Sequence, residues 1–127
     1  MINRIKLTYH SVFKYPDHNE SVKFSSEGYK EENDDYMEFR IKHQEYNIKI
    51  SIKDDEIILN NNGSILKLKE NELIENDYET EYGIMNITTC LLINDHQDSL
   101  RIKYQLLDGD KILSNAYLSL NYKIMEN

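Results

Sequence analysis

Tryptophan is absent from this chain, cysteine and proline each occur once, and glycine occurs four times in 127 residues. A single cysteine excludes an intrachain disulfide. Cys90 lies in the apolar run Ile87–Ile93 with no electropositive neighbour in sequence, so it is expected to be a buried, inert small hydrophobe. Cations are scarce as well: 15 Lys and Arg stand against 23 Asp and Glu, for a net charge of -8. A nucleic-acid partner demands a basic footprint, and the linear sequence displays none. The negative charge reads as a device for solubility. No apolar run reaches the length of a membrane span, and MINRIKLTYH lacks the apolar core of a secretory signal. The expectation is a cytoplasmic protein without membrane or nucleic-acid partners.

Catalytic signatures are missing too. There is no Gly-rich phosphate loop, no Gly-x-Ser-x-Gly elbow and no His-Glu-x-x-His. His10, His18, His43 and His96 are scattered, His18 and His96 in turns, and His10 and His43 near the polar faces of strands. A metal site requires clustered ligands. Asp95, His96 and Asp98 read as turn residues. No enzyme, metal or cofactor is expected.

What the chain does contain is period-two alternation, the mark of strands with one wet and one sheltered face. Ile5, Leu7, Tyr9, Ser11 and Phe13 alternate with polar residues until Pro16 to Asn19 break the run. Val22, Phe24 and Ser26 lead into Gly28, where a glycine inside a strand suggests a barrel corner or a close backbone approach. Further strands follow at Met37–Ile41, Tyr46–Ile52, Ile57–Leu59, Ile65–Leu68, Leu100–Leu106 and Ala116–Ile124. Asn62-Gly63 and Asp108-Gly109 supply tight hairpins between them. Residues 70–76 are open to a short helical turn. The pattern predicts one all-β domain over residues 1–127, an antiparallel barrel of 8–10 strands in preference to a two-sheet sandwich.

The stretch Leu73–Ile93 organises the rest. Glu75, Asp77, Glu79 and Glu81 share one face; Ile74, Asn76, Tyr78, Thr80 and Tyr82 share the other. After Gly83 the parity changes, and Met85, Ile87, Thr89, Leu91 and Ile93 occupy the apolar positions. A glycine at a parity flip suggests a bulge, a bend or a tight turn, and the stretch reads as one long β unit bent at Gly83. Four carboxylates cannot share a dry interior, so the tyrosine row is expected inside. There it either packs with its hydroxyls bonded to backbone or lines a cavity that orients a small ligand.

Several features in order resemble the YwiB-like family, over residues 3–124. They are Gly28-Tyr29, Asn62-Gly63, Tyr78-x-Thr80-x-Tyr82-Gly83, Ile87-x-Thr89, Ile102-x-Tyr104-x-Leu106 and Leu118-x-Leu120-x-Tyr122. That is a bacterial family without an established activity. The resemblance implies a calycin-like (lipocalin-like) β-barrel and transfers no catalytic role. This chain departs from it in being more acidic and richer in Asn. Two functional expectations stand beside each other. One is a barrel that binds a small, partly apolar ligand through Tyr78, Thr80, Tyr82, Thr89, Tyr104 and Tyr122. The other is a filled barrel that serves as a protein-interaction or structural module.

Overall fold

The computed structural model describes residues 1–80, 83–95 and 99–125, without the side chains of residues 80 and 93. Ten strands make one antiparallel sheet. They are β1 (Ile2–Lys14), β2 (Asn19–Glu32), β3 (Met37–His43), β4 (Tyr46–Lys53), β5 (Glu56–Asn61), β6 (Ser64–Lys69), β7 (Leu73–Thr80), β8 (Gly83–Asp95), β9 (Leu100–Asp108) and β10 (Lys111–Ile124). The order β6-β5-β4-β3-β2-β1-β10-β9-β8-β7 is an up-and-down meander whose first and last strands pair in the middle. The sheet curls into a nearly closed barrel. No helix occurs among the described residues, so the alternative of a helical turn at 70–76 is not realised; a turn at 71–72 leads directly into β7.

Alternation decides which side chains fill the interior. Ile5, Leu7 and Tyr9 of β1, Phe39 and Ile41 of β3, Ile48, Ile50 and Ile52 of β4, and Leu100, Ile102 and Tyr104 of β9 are all buried in one core. The acidic turns at 33–35 and 54–56 and the row Glu75, Asp77, Glu79 face solvent for the most part, as alternation requires; Glu81 lies outside the described residues. The Asn62-Gly63 turn holds both residues at positive φ (54° and 92°), the geometry that matches strand twist in a two-residue hairpin.

The barrel has two seams. At the first, β2 pairs with β3 only from Gly28 to Glu32, leaving residues 19–27 of β2 without a strand partner on that side among the described residues. Gly28 stands at the fork: a Cβ there would lie 2.6 Å from the Arg40 carbonyl oxygen. Above the fork, stacked rings fill the opening. Phe24 lies 5.1 Å from Tyr9, 4.4 Å from His43 and 5.6 Å from Tyr46, centroid to centroid. His43 therefore faces inward against an aromatic ring, not outward on the polar face of its strand.

The second seam lies between β6 and β7, the two ends of the sheet. Side chains join them in place of a backbone ladder. Asn76 accepts a hydrogen bond from the Lys67 backbone N–H (2.8 Å) and returns one to the Lys67 carbonyl (3.2 Å). Thr89 Oγ1 donates to the same carbonyl at 2.6 Å, and Ser64 Oγ donates to the Glu79 carbonyl at 3.1 Å. One amide side chain thus imitates the reciprocal pairing of a neighbouring strand.

The central stretch is a hairpin, which corrects the reading of one bent unit. Leu73 pairs with Cys90 and Thr80 with Gly83, so β7 and β8 run antiparallel and the parity changes because the chain reverses. Gly83 has φ +115°, a conformation natural to glycine. Cys90 is a second correction. Thr89 and Leu91 point inward, so Cys90 points outward and is half-buried. An apolar run hid the alternation there. A bulge at Leu92 then shifts the register and turns Asn94 toward the buried Ile102, and a bulge at Leu113 does the same for Ser114. Asn94 Oδ1 and Ser114 Oγ are buried without a hydrogen-bond partner among the described residues.

Candidate functional site

One end of the barrel, here called upper, carries the turns at 15–18, 44–45, 62–63 and 109–110. Inward positions of seven strands converge just below it. Tyr9, Ser11 and Phe13 come from β1, Ile48 and Ile50 from β4, Leu66 from β6, Tyr78 from β7 and Tyr104 from β9. With Leu59 and Leu118 they surround a cavity of about 60 Å³, rimmed by Asn60, Asn61 and Ser64. Period two brings Tyr9, Ser11 and Phe13 to it as consecutive inward residues of a single strand. Phe13 meets Tyr104 edge to face at 6.4 Å.

The cavity is aromatic and carries several hydroxyls. Tyr104 is 2 % exposed. Burial, and then the neighbouring hydroxyls of Tyr9, Tyr78 and Tyr15, push its pKa far above the usual phenol value, so it stays neutral. Burial also raises the pKa of Tyr9, against the opposing effect of a hydrogen bond with Ser11. A neutral phenol both donates and accepts. The site can therefore hold a polar atom beside a hydrocarbon wall, but among the described residues it groups no nucleophile with an adjacent base.

Of the six residues singled out from sequence, the structure brings Tyr78 and Tyr104 together at the cavity. Thr89 is fully buried in the β6–β7 seam, bonded to the Lys67 carbonyl. Tyr122 faces inward nearer the lower end, 5.2 Å from Phe39 and with Lys30 Nζ 5.1 Å from its ring. Tyr82 and the side chain of Thr80 lie outside the described residues. Sequence reasoning missed Tyr9, Ser11 and Phe13 as cavity residues and Asn76 as the seam residue. Asn76 did leave a signal: an amide on the sheltered face between Ile74 and Tyr78 must find partners when buried.

A second polar cluster sits on the outer face and is internally compensated. Glu38 is held by Arg40 (3.2 Å), Lys49 (3.2 Å) and Ser51 (3.2 Å). Arg40 also bonds Glu31 at 2.7 Å, and Glu31 accepts the Tyr36 hydroxyl. Among the described residues, no three His, Cys, Asp or Glu side chains are grouped to hold a metal ion. Among the described residues there is no helix long and apolar enough to cross a membrane.

These features define a small, nearly closed antiparallel β-barrel with an aromatic-lined cavity at one end. Its architecture is similar to the crystal structure of the ywiB protein from Bacillus subtilis. The two superpose with a TM-score of 0.71, over 96 % of this chain and 93 % of that one, at 14 % sequence identity. The likeness shows that the fold is YwiB-like. No family model and no curated protein matches the chain by sequence.

Proposed function

We propose that the barrel binds a small, partly apolar ligand at its upper end. The observation that carries this reading is the cavity of about 60 Å³ among Tyr9, Phe13, Tyr78 and Tyr104, with the amides of Asn60 and Asn61 at its rim. A packed barrel has no need of a void there, and each void costs contact energy. The volume sets the ligand's size. A cavity near 150 Å³ accepts benzene, and a water occupies about 30 Å³ of liquid, so this one takes only a few non-hydrogen atoms. A short apolar end would sit among the rings while a polar end bonds Asn60, Asn61 or Ser64. A larger guest requires movement of Tyr78, which is half-buried on a strand held at the seam. The lone thiol makes a cytoplasmic setting part of this proposal.

The alternative, a filled barrel that binds another protein, is favoured by a different observation. The outer face of β5 to β8 exposes Ile58, Ile65, Leu73 and Ile84. Native mass spectrometry of protein purified from cells separates the two. A retained small molecule that is lost in a Tyr104→Leu variant of unchanged fold supports the ligand reading. A bare chain, together with no shift of Tyr78 or Tyr104 resonances across a library of small amphiphiles, overturns it.

A further inference from the structure

We infer that the outer face of β1, β10 and β9 carries a second site, independent of the cavity, for a small phosphorylated molecule. Strand register builds it. Lys23 of β2, His10 of β1, Ser119 of β10, Arg101 of β9 and Asp95 of β8 are successive cross-strand partners and form one row across five strands. The next row toward the upper end is Val12, Tyr117 and Lys103. Between the rows lies a cleft of about 440 Å³ lined by His10, Val12, Arg101, Lys103, Tyr117 and Ser119, with Asp95 on its β8 side. That volume is in the range of small-molecule sites.

The donors are of the kinds that hold phosphate: a guanidinium, an ammonium, an imidazole and a hydroxyl. Tyr117 adds order. Its ring centroid lies 5.2 Å from Lys14 Nζ and 5.3 Å from Lys103 Nζ, so one aromatic side chain gathers cations from the strands on either side. No ion pair joins Lys14, Lys23, Arg101 or Lys103 to a carboxylate among the described residues within 4.0 Å. Lys14 and Lys103, gathered on one ring, repel each other, and a bound anion relieves that repulsion; the Asp95 carboxylate opposite Arg101 confines the anion to the side of the cleft away from β8.

Size follows from the charge of the whole chain. A net charge of -8 opposes a long polyanion, whose distant phosphates feel the acidic remainder of the molecule. A compact anion in the cleft feels mainly groups within a Debye length of about 8 Å. The row from Lys23 to Arg101 spans roughly 14 Å, enough for two phosphates or for one phosphate and an attached polar group.

The test is an NMR titration of the full chain with inorganic pyrophosphate at low ionic strength. Saturable binding is expected, with shifts confined to residues around His10, Tyr117 and Ser119. Arg101→Gln and Lys103→Gln should each weaken it by roughly tenfold, while Lys49→Gln, on another face, leaves it unchanged. If Arg101→Gln fails to fold, His10→Gln reads the same site with strand β9 intact. Absence of saturation overturns the inference, as does an equal loss in Lys49→Gln. Tighter binding of a single-stranded RNA of about twelve nucleotides, depending on Lys6 of β1 and its cross-strand partner Lys123 of β10 as much as on Arg101, also overturns it in favour of a nucleic-acid track.

Discussion

Gly28 and Tyr104 show how much a single residue is asked to do in this barrel. Gly28 does not occupy a left-handed conformation; it is required because the backbone of β3 passes close by. An added Cβ would stand 2.6 Å from the Arg40 carbonyl oxygen and 3.1 Å from Leu7 Cδ2. The nearer atom is backbone and cannot rotate away. Gly28→Ala should therefore destabilise the protein by about 1–3 kcal/mol, as overpacking does, read as a lower urea midpoint. An unchanged midpoint would mean that the β2–β3 fork opens freely. Tyr104 gives a pH prediction. Its folded pKa is raised by burial above the unfolded value near 10. Its contribution to stability is complete below pH 10 and is lost progressively as pH rises toward the folded value. Ultraviolet titration should show the Tyr104 phenolate appearing only with alkaline unfolding, above the ordinary phenol range. A Tyr104 phenolate forming near pH 10 in the still-folded protein would contradict this.

At the scale of elements, the seams matter more than the ladders. In the β6–β7 seam, beside the Thr89 and Ser64 hydroxyls, one amide supplies both a donor and an acceptor to Lys67. Asn76→Ala leaves a backbone N–H and C=O with one partner fewer, and should cost about 2–4 kcal/mol. Asn76→Asp separates bonding from shape. It keeps the size and the acceptor, but directs a carboxylate oxygen at the Lys67 and Ile74 carbonyls that Asn76 now donates to. Chemical denaturation should rank Asp as at least as harmful as Ala despite its isosteric fit. If Asp is tolerated better than Ala, the seam rests on packing instead. The aromatic seam works differently. Rings around Phe24 fill space where β2 lacks a partner, so their contribution is area and stacking, not hydrogen bonds.

At the scale of the whole molecule, the two seams divide the barrel into regions of unequal security. β1 pairs with β2 over thirteen positions and with β10 over ten, and these long ladders form the middle of the sheet. β6 ends the sheet with six residues and side-chain bridges. Local opening follows the weakest cooperative unit. Native-state hydrogen exchange should therefore find the slowest amides in β1, β10 and β9, and faster exchange along the β6–β7 seam. Uniform protection around the barrel would mean that the seams are as strong as the ladders.

The sequence by itself determined the strands, their inward faces and the all-β class, because period two is written residue by residue and needs no partner. It also determined that Gly28 marks a special place and that the Glu75, Asp77, Glu79 row is wet. It did not determine that residues 73–95 fold back on themselves. A parity flip at glycine is the same signal for a bend within one strand as for a turn between two, and only pairing of Thr80 with Gly83 distinguishes them. Nor could it separate Tyr78 and Tyr104, which meet at a cavity, from Tyr122, which does not. All three lie on inward faces, and depth along the barrel is set by register between strands distant in sequence. The cationic outer face is hidden for the same reason. The pair Lys14 and Lys23 stands far from the pair Arg101 and Lys103 along an acidic chain, and only the pairing of β1 with β10 brings the two pairs onto one face.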